Sequence, residues 1–220
     1  MNTNKIVYKD LKIEHICKSN LKHSYITVGK DAKVVLKTPK VSQRYIDNLL
    51  ADRENWIRKQ IYKIEQNPPP KVNIEDEVLL FGEVYSIDID EARELRGFLE
   101  KLKINSDANV LKCYDRFYKI HAKNYITPRV EYFSKVMNLN FQELKFRKMK
   151  SRWGSCSSRG IITLNSELIK VKKELIDYVV VHELAHLKHM NHSKRFHDLV
   201  ESHLQNSKEL RRELKKIRIF

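Results

Sequence analysis

Two histidines and a glutamate in the segment VVVHELAHLKHMNHSKRF (Val179–Phe196) have the spacing of a metal-binding catalytic helix. His182 and His186 are four residues apart, so on a helix both imidazoles lie on one face, about 6 Å apart along the axis. Zinc prefers nitrogen ligands in a tetrahedron, and its catalytic sites use three protein ligands and one open position. Glu183 follows the first histidine, where its carboxylate can serve as general base towards a water at the metal.

A third ligand has to come from beyond this helix, because a straight helix cannot bring it to the same point. His192 lies six residues after His186. If the helix ends near Met190 and Asn191 takes a left-handed cap, the chain turns and returns His192 to the ion. The alternatives are other imidazoles or a carboxylate further along the chain: His189, His197 and Glu201. The apolar surroundings favour metal binding, since burying unpaired polar groups is costly.

The chain carries a large excess of positive charge. Lys and Arg number 43 against 28 Asp and Glu, which gives a formal net charge of +15 over 220 residues. Such a surplus favours anionic partners, namely nucleic acid, nucleotides or acidic peptides. Many lysine-rich proteins have no such partner, and composition does not tell where the charge lies, so both interpretations stay open at this stage.

The remaining composition is typical of a globular protein from a reducing compartment. Hydrophobic residues make up 41%, and only 5 Gly and 5 Pro argue against a disordered or fibrous chain. The 3 cysteines form no C-x-x-C pair, which does not fit a disulfide scaffold. No apolar run exceeds four residues, and the first ten residues contain no apolar segment. We therefore expect no membrane span, no signal peptide and a cytoplasmic location.

Residues 1–90 have the pattern of a β-rich region with one long helix. SYITVGKDAKVVLKTP (Ser24–Pro39) predicts a strand, a turn and a second strand. Ser42 is expected to cap a helix whose buried face includes Trp56, and the proline run of QNPPPK is expected to end it. EVLLFGEVYSIDID then predicts a strand pair around Gly82.

From about Cys113 the pattern changes to a helix, a hairpin and further helices. Apolar spacing predicts a helix to about Leu139 that kinks or divides at Pro128. ELKFRKMKSRWGSCSSRGIITLN predicts a hairpin whose turn lies between Gly154 and Gly160. Three more helices are expected, beginning near residues 173, 193 and 206. We expect residues 112–220 to form the catalytic domain, whereas residues 91–111 stay unassigned.

Two residues of the predicted hairpin are candidate substrate-binding residues. Arg152 has the chemistry of an anion clamp, although a solvated surface position is equally consistent with the pattern. Asn165 ends the predicted strand IITLN (Ile161–Asn165) of this hairpin. Trp153 is expected in the core, and Cys156 as a small buried residue, since no partner base is evident for it.

The segments SRWGSCSSRGIITLN and IDYVVVHELAHLKHMNHSKRF resemble the YgjP-like metal-dependent hydrolases, small HExxH zincins related to the WLM and SprT-like proteases. The resemblance is strongest over about residues 144–200. It implies a zinc ion bound by His182, His186 and His192, with Glu183 as the catalytic residue. It also implies that IITLN is an edge strand before the metal helix, where an extended peptide binds by β-augmentation next to Asn165. The sequence departs from the family pattern at two positions, where a proline and a tryptophan are usual: Lys172 and His197.

Together these features predict an α+β fold in which a zincin-like C-terminal core, with the HExxH helix beside a small antiparallel sheet, follows a β-rich N-terminal part. The predicted function is zinc-dependent hydrolysis of a peptide or protein, with one zinc ion and Glu183 moving the proton from the attacking water to the leaving amine. The alternatives are hydrolysis of an anionic substrate such as a nucleotide, or a non-catalytic, zinc-stabilised nucleic-acid-binding module.

Overall fold

The computed structural model describes residues 2–29, 31–66, 73–74, 76–104, 106–217 and 219. The chain divides into two compact units, Met1–Pro69 and Pro70–Phe220. The division thus lies before the hairpin around Gly82, which the sequence pattern had grouped with the N-terminal region. The proline run expected to end the long helix lies outside the described residues.

The first unit is a four-stranded sheet with one long helix. Its strands are ordered β1-β2-β4-β3, with β2 and β4 parallel and the outer pairs antiparallel. The elements are β1 (Asn2–Tyr8), β2 (Leu11–Cys17), β3 (Tyr25–Val28), β4 (Val34–Thr38) and α1 (Gln43–Gln66). Ser42 caps α1 as predicted, because its Oγ accepts a hydrogen bond from the backbone N–H of Tyr45 at 3.3 Å.

The buried face of α1 packs on this sheet through residues spaced four and seven apart. Ile46, Leu50 and Ile57 join a core with residues of β2 and β4. Trp56, which was expected on this face, is 43% exposed. It precedes Ile57 by one residue and is therefore rotated by about 100° from the buried line.

The second unit begins with a two-stranded hairpin and two helices. Phe81 and Gly82 form its turn, and both have positive φ (53° and 91°), as a two-residue type I′ turn requires. The elements are β5 (Glu77–Leu80), β6 (Glu83–Ser86), a 3₁₀ turn (Asp90–Ala92), α2 (Arg93–Leu99) and α3 (Asp107–Met137). The 3₁₀ turn and α2 account for much of the segment that the sequence left unassigned. Pro128 does not divide this helix in two, because α3 continues through it.

A three-stranded sheet and three helices complete the second unit: β7 (Glu143–Arg147), β8 (Gly154–Cys156), β9 (Ile161–Asn165), a 3₁₀ turn (Ser166–Lys170), α4 (Lys173–Ala185), α5 (Lys194–His203) and α6 (Ser207–Lys216). The sheet order is β7-β9-β8; β8 pairs antiparallel with β9, but β7 pairs parallel with it. The sheet is therefore mixed rather than antiparallel. The strand β9 is central, so the prediction of an edge strand there is wrong; β8 lies at the edge.

The helix α4 lies at the centre of the second unit. Most of its residues are buried, including Leu175, Val179 and Val181. Arg129 on α3 donates two hydrogen bonds of 2.7 Å to the Asp177 carboxylate, which fixes α4 against α3. The α+β class predicted from the sequence is confirmed. In the part of the chain described here, no helix combines the length and apolar character needed to cross a bilayer.

Candidate metal centre

Three histidine side chains converge at the end of α4. Their candidate ligand atoms all lie within 4.8 Å of one another, and the Nε2 atoms of His182 and His192 are 3.1 Å apart. Nitrogen ligands around a tetrahedral zinc ion are separated by roughly 3.4 Å, given Zn–N bonds of about 2.0–2.1 Å. The three imidazoles therefore fit a zinc ion in both donor type and spacing. His192 is exposed, which leaves an open side towards solvent.

The chain returns His192 to the cluster by ending α4 early. The helix stops at Ala185, and hydrogen bonds that span three residues instead of four follow it. They join the Leu187 N–H to the Leu184 carbonyl (2.9 Å) and the Lys188 N–H to the Ala185 carbonyl (3.1 Å). The prediction that the helix reaches Met190 is therefore wrong. So is the predicted left-handed cap at Asn191, which is not among the described residues with positive φ.

The ring of His186 is oriented by the same turn. Its Nδ1 lies 3.1 Å from the backbone carbonyl oxygen of His189, and since a carbonyl only accepts, Nδ1–H is the donor. This hydrogen bond selects the tautomer that leaves Nε2 free for a metal, as is usual for histidine ligands. His189 thus contributes to the site through its backbone and not as a ligand.

The Phe196 ring packs against all three imidazoles. Its side chain is fully buried, and its ring centroid lies 4.9, 4.6 and 4.9 Å from those of His182, His186 and His192. These contacts restrict the rotamers of all three rings. In the sequence, Phe196 was only the last residue of the histidine-rich segment, and its packing against the three imidazoles was not predicted. A phenylalanine four residues after the third histidine was the available signal.

Burial keeps the imidazoles in the form that binds metal. Together with the nearby His186 and His192, it lowers the pKa of His182 to about 3. Burial also lowers the pKa of His186. A neutral imidazole is the ligand form, so these two nitrogens are available for a metal at neutral pH.

The rival ligands stay outside this cluster. The His197 ring stacks on that of His192 with centroids 6.3 Å apart. Glu201 pairs instead with Lys208, with 2.9 Å between its Oε2 and the ammonium nitrogen. Within the described residues, neither joins the group of possible metal ligands.

Glu183 lies beside the cluster and faces the edge strand β8. Its side chain is buried, and this burial raises its pKa to about 8, an effect that the charge of Arg152 opposes. A carboxylate that is buried next to three imidazoles has no obvious structural purpose. This arrangement is typical of a functional acid–base group.

Gly154 leaves the space that Glu183 occupies. A Cβ atom at Gly154 would lie 2.6 Å from the Glu183 Oε1 and 2.7 Å from its Cγ. The sequence predicted that Gly154 and Gly160 make the hairpin turn. Gly160, with φ of 74°, does so, whereas Gly154 lies inside β8 and packs against α4. The need for glycine there comes from close approach and not from backbone conformation.

Replacing Gly154 by alanine is therefore expected to displace the Glu183 carboxylate and to lower hydrolytic activity roughly 100-fold, the usual effect of a 1 Å misplacement. Metal content should not change, because no ligand is touched. The measurement is kcat/KM together with metal analysis. Gly97→Ala is the matched control, since a Cβ there meets nothing within 4 Å. Full activity in Gly154→Ala would contradict the proposed contact.

The two candidate substrate residues have different surroundings. Arg152 is exposed and close enough to influence Glu183. Asn165 is fully buried; its Nδ2 donates to the carbonyls of Met149 (2.8 Å) and Arg152 (3.0 Å), and its Oδ1 accepts from the N–H groups of Met149 (3.1 Å) and Glu167 (3.2 Å). Its amide is fully used in shaping the loop that carries Arg152, which leaves no group for direct contact with a substrate.

Cys156 is expected to be unreactive. Burial raises the pKa of its thiol to about 11, and the nearby Glu183 adds to this effect. The reactive thiolate is therefore scarce at pH 8 and increases only as pH rises towards 11. Alkylation by iodoacetamide, followed by mass spectrometry from pH 7 to 10, should be slower at Cys156 than in a free cysteine peptide by about a hundredfold at pH 8. Rapid labelling at pH 7 would contradict this environment.

The sequence profile described as "YgjP-like, metallopeptidase domain" matches residues 22–217, which is most of the chain. The chain belongs to the YgjP-like metallopeptidase family. It is therefore a metallohydrolase with a catalytic metal, and the resemblance found in the sequence is confirmed. A search of curated proteins found no match.

Two solved structures resemble part of this YgjP-like chain. One is the crystal structure of the metallopeptidase zymogen of Pyrococcus abyssi abylysin, with 26% identity, a TM-score of 0.38, and coverage of 42% of this chain and 94% of that chain. The other is the metallopeptidase zymogen of Methanocaldococcus jannaschii jannalysin, with 22% identity, a TM-score of 0.38, and coverage of 41% and 94%. Both alignments are confined to less than half of this chain.

Proposed function

We propose that this YgjP-like protein is a zinc-dependent peptidase in which His182, His186 and His192 hold one zinc ion and Glu183 is the general base. The observation that carries the proposal is the convergence of three imidazoles beside a buried carboxylate. Three neutral nitrogen ligands with an open fourth position are the donor set of catalytic zinc sites. The membership of the chain in a metallopeptidase family supports the same chemistry.

The residues of the chain have distinct tasks in the proposed reaction. A zinc ion held there would polarise the peptide carbonyl, acidify a water molecule and favour the ionised form of Glu183. Glu183 accepts a proton from the attacking water and delivers it to the leaving amine. The contact with Gly154 holds the carboxylate in place for both transfers.

The edge of β8 is the proposed place for the substrate backbone. Among the described strands, β8 has a partner only on its β9 side, and it packs against α4 at Gly154. An extended peptide added to this edge would pass directly beside Glu183. Arg152, at the start of this edge, is proposed to bind a carbonyl or carboxylate of the substrate, while Asn165 positions the loop that presents it.

The alternative functions have less support. A peptide or protein substrate follows from the family, whereas neither the family nor the similar structures support a nucleotide substrate or a nucleic-acid partner. The positive charge of the chain is the only feature that favours them. The cytoplasmic location inferred from composition stays a prediction.

Digestion of a denatured-proteome peptide library by the zinc-loaded protein, read by mass spectrometry, tests the proposed function. Cleavage should occur, stop with a zinc chelator and return when zinc is added. Nucleoside triphosphates and single-stranded DNA are incubated in parallel. Hydrolysis of a triphosphate without any peptide cleavage would contradict the peptidase proposal and favour the nucleotide alternative.

A further inference from the structure

A cavity lies next to the cluster of three histidines. Its volume is about 410 Å³, within the usual range for small-ligand sites. It is enclosed by α4, α5 and α6, which contribute Tyr178, His197 and Arg211 among its lining residues. Tyr178 lies one turn before His182 on the same helix face, and the His197 ring stacks on that of His192. None of the three candidate ligands lines the cavity, but each is in ring contact with a residue that does: Tyr178, Phe196 or His197.

We propose that this cavity is a specificity subsite that takes a carboxylate of the peptide substrate, with Arg211 as its recognition residue. The carboxylate belongs either to an Asp or Glu side chain close to the cleaved bond or to the C-terminus of a short peptide. This inference rests on the peptidase function proposed above and names the substrate class for it.

The position of Arg211 supports a role in binding. Arg211 lines the cavity from α6, and within the described residues it makes no hydrogen bond or ion pair with the protein. An unpaired guanidinium that faces a cavity is well suited to bidentate recognition of a carboxylate.

The other charges of the cavity leave a net attraction for an anion. Glu201 is neutralised by its ion pair with Lys208 at 2.9 Å. Lys194 adds a second cation without an ion pair within the described residues, and Asp198 is the remaining carboxylate. Two cations thus face one anion, so a carboxylate entering the cavity experiences net attraction.

The apolar lining fits the stem of an acidic side chain. Phe196 and Val200 are buried and line the cavity, and the Tyr178 ring is buried beside them. Methylene groups of a glutamate or the side chain of a C-terminal residue would pack on these surfaces while the carboxylate reaches Arg211. The combination of an apolar wall and an unpaired cation favours this ligand over a phosphate, which has no apolar stem.

The test compares pairs of peptides with the zinc-loaded wild type, Arg211→Gln, Arg211→Glu and Arg212→Gln. Arg212 is exposed, follows Arg211 on α6 and does not line the cavity, which makes it a matched control. One pair carries Glu or Gln next to the cleaved bond found in the library digestion. The other pair ends in a free carboxylate or an amide. For each of these proteins, kcat/KM is measured with Glu183 intact. The dissociation constant of each peptide is measured by fluorescence anisotropy with the same proteins in a metal-loaded Glu183→Gln background.

The wild type and Arg212→Gln should prefer the carboxylate member of one pair roughly tenfold, in both cleavage and binding. Arg211→Gln should remove the preference, and Arg211→Glu should reverse it, so that the Gln or the amide member of the pair is preferred. If the Glu/Gln pair shows the preference, the bound carboxylate is that of a side chain; if the free-carboxylate/amide pair shows it, the bound carboxylate is the C-terminus. Cleavage without any carboxylate preference, or with a preference that survives in Arg211→Gln, overturns the subsite alone. Failure to cleave any peptide overturns the proposed function as well.

Discussion

Glu183→Gln is expected to lower kcat/KM for peptide cleavage by about 10³–10⁴-fold, the upper range for loss of a general base. Glutamine has nearly the same shape as glutamate, so it fits beside Gly154 in the same space. It cannot accept the proton of the attacking water. Zinc content should equal that of the wild type, because Glu183 is not one of the three residues that could hold the metal ion. Steady-state kinetics and metal analysis on the same preparation measure both.

The matched control for this variant is Glu174→Gln, which changes an exposed glutamate at the start of the same helix. It should leave kcat/KM within about twofold of the wild type, as is usual for surface substitutions. Retention of more than a tenth of wild-type activity by Glu183→Gln would mean that another group moves the proton. Loss of zinc in Glu183→Gln would instead place the glutamate among the ligands.

His186→Ala is expected to weaken zinc binding by about a hundredfold to a thousandfold. Binding of zinc to a protein site contributes about 10–16 kcal/mol, and the loss of one ligand removes roughly a quarter of it. Activity should fall with the metal content. His186 is buried, receives its orientation from the His189 carbonyl and packs on Phe196. Among the described residues, only His182 and His192 are grouped with it as possible metal ligands, so none is placed to replace it. Competition with a zinc-binding dye gives the affinity, and circular dichroism verifies the fold.

His189→Ala serves as the control, since the site uses only the backbone carbonyl of His189. Its zinc affinity should stay within about threefold of the wild type, because the main-chain hydrogen bond is preserved. A large loss of affinity in His189→Ala, together with a small loss in His186→Ala, would show that the ligands have been assigned to the wrong histidines.

The central residues of the site were predictable because their signal is local. The i, i+4 spacing of His182 and His186, with Glu183 between them, follows from helix geometry alone. The family resemblance selected His192, and the structure places it in the cluster. Gly154 was missed because its role depends on a contact with α4, which lies far from it in sequence. No local pattern indicates which helix a strand will approach.

The same reasoning explains the errors in the fold. The β8–β9 hairpin has a local turn signal at Gly160, but the parallel pairing of β7 with β9 has none, since it depends on a longer connection. The helix α3 continues through Pro128 because Ile126 and Val130 are buried on either side. Their packing outweighs the cost of about 3 kcal/mol for a proline inside a helix.

Crystals of the zinc-loaded protein, measured on both sides of the zinc absorption edge, test the central claim most directly. We expect one anomalous peak, about 2.0–2.1 Å from a nitrogen of each of His182, His186 and His192, with the Glu183 carboxylate nearby but not bonded to it. A peak bonded to His189, His197 or Glu201, or no peak between the three histidines, would contradict the proposed metal centre.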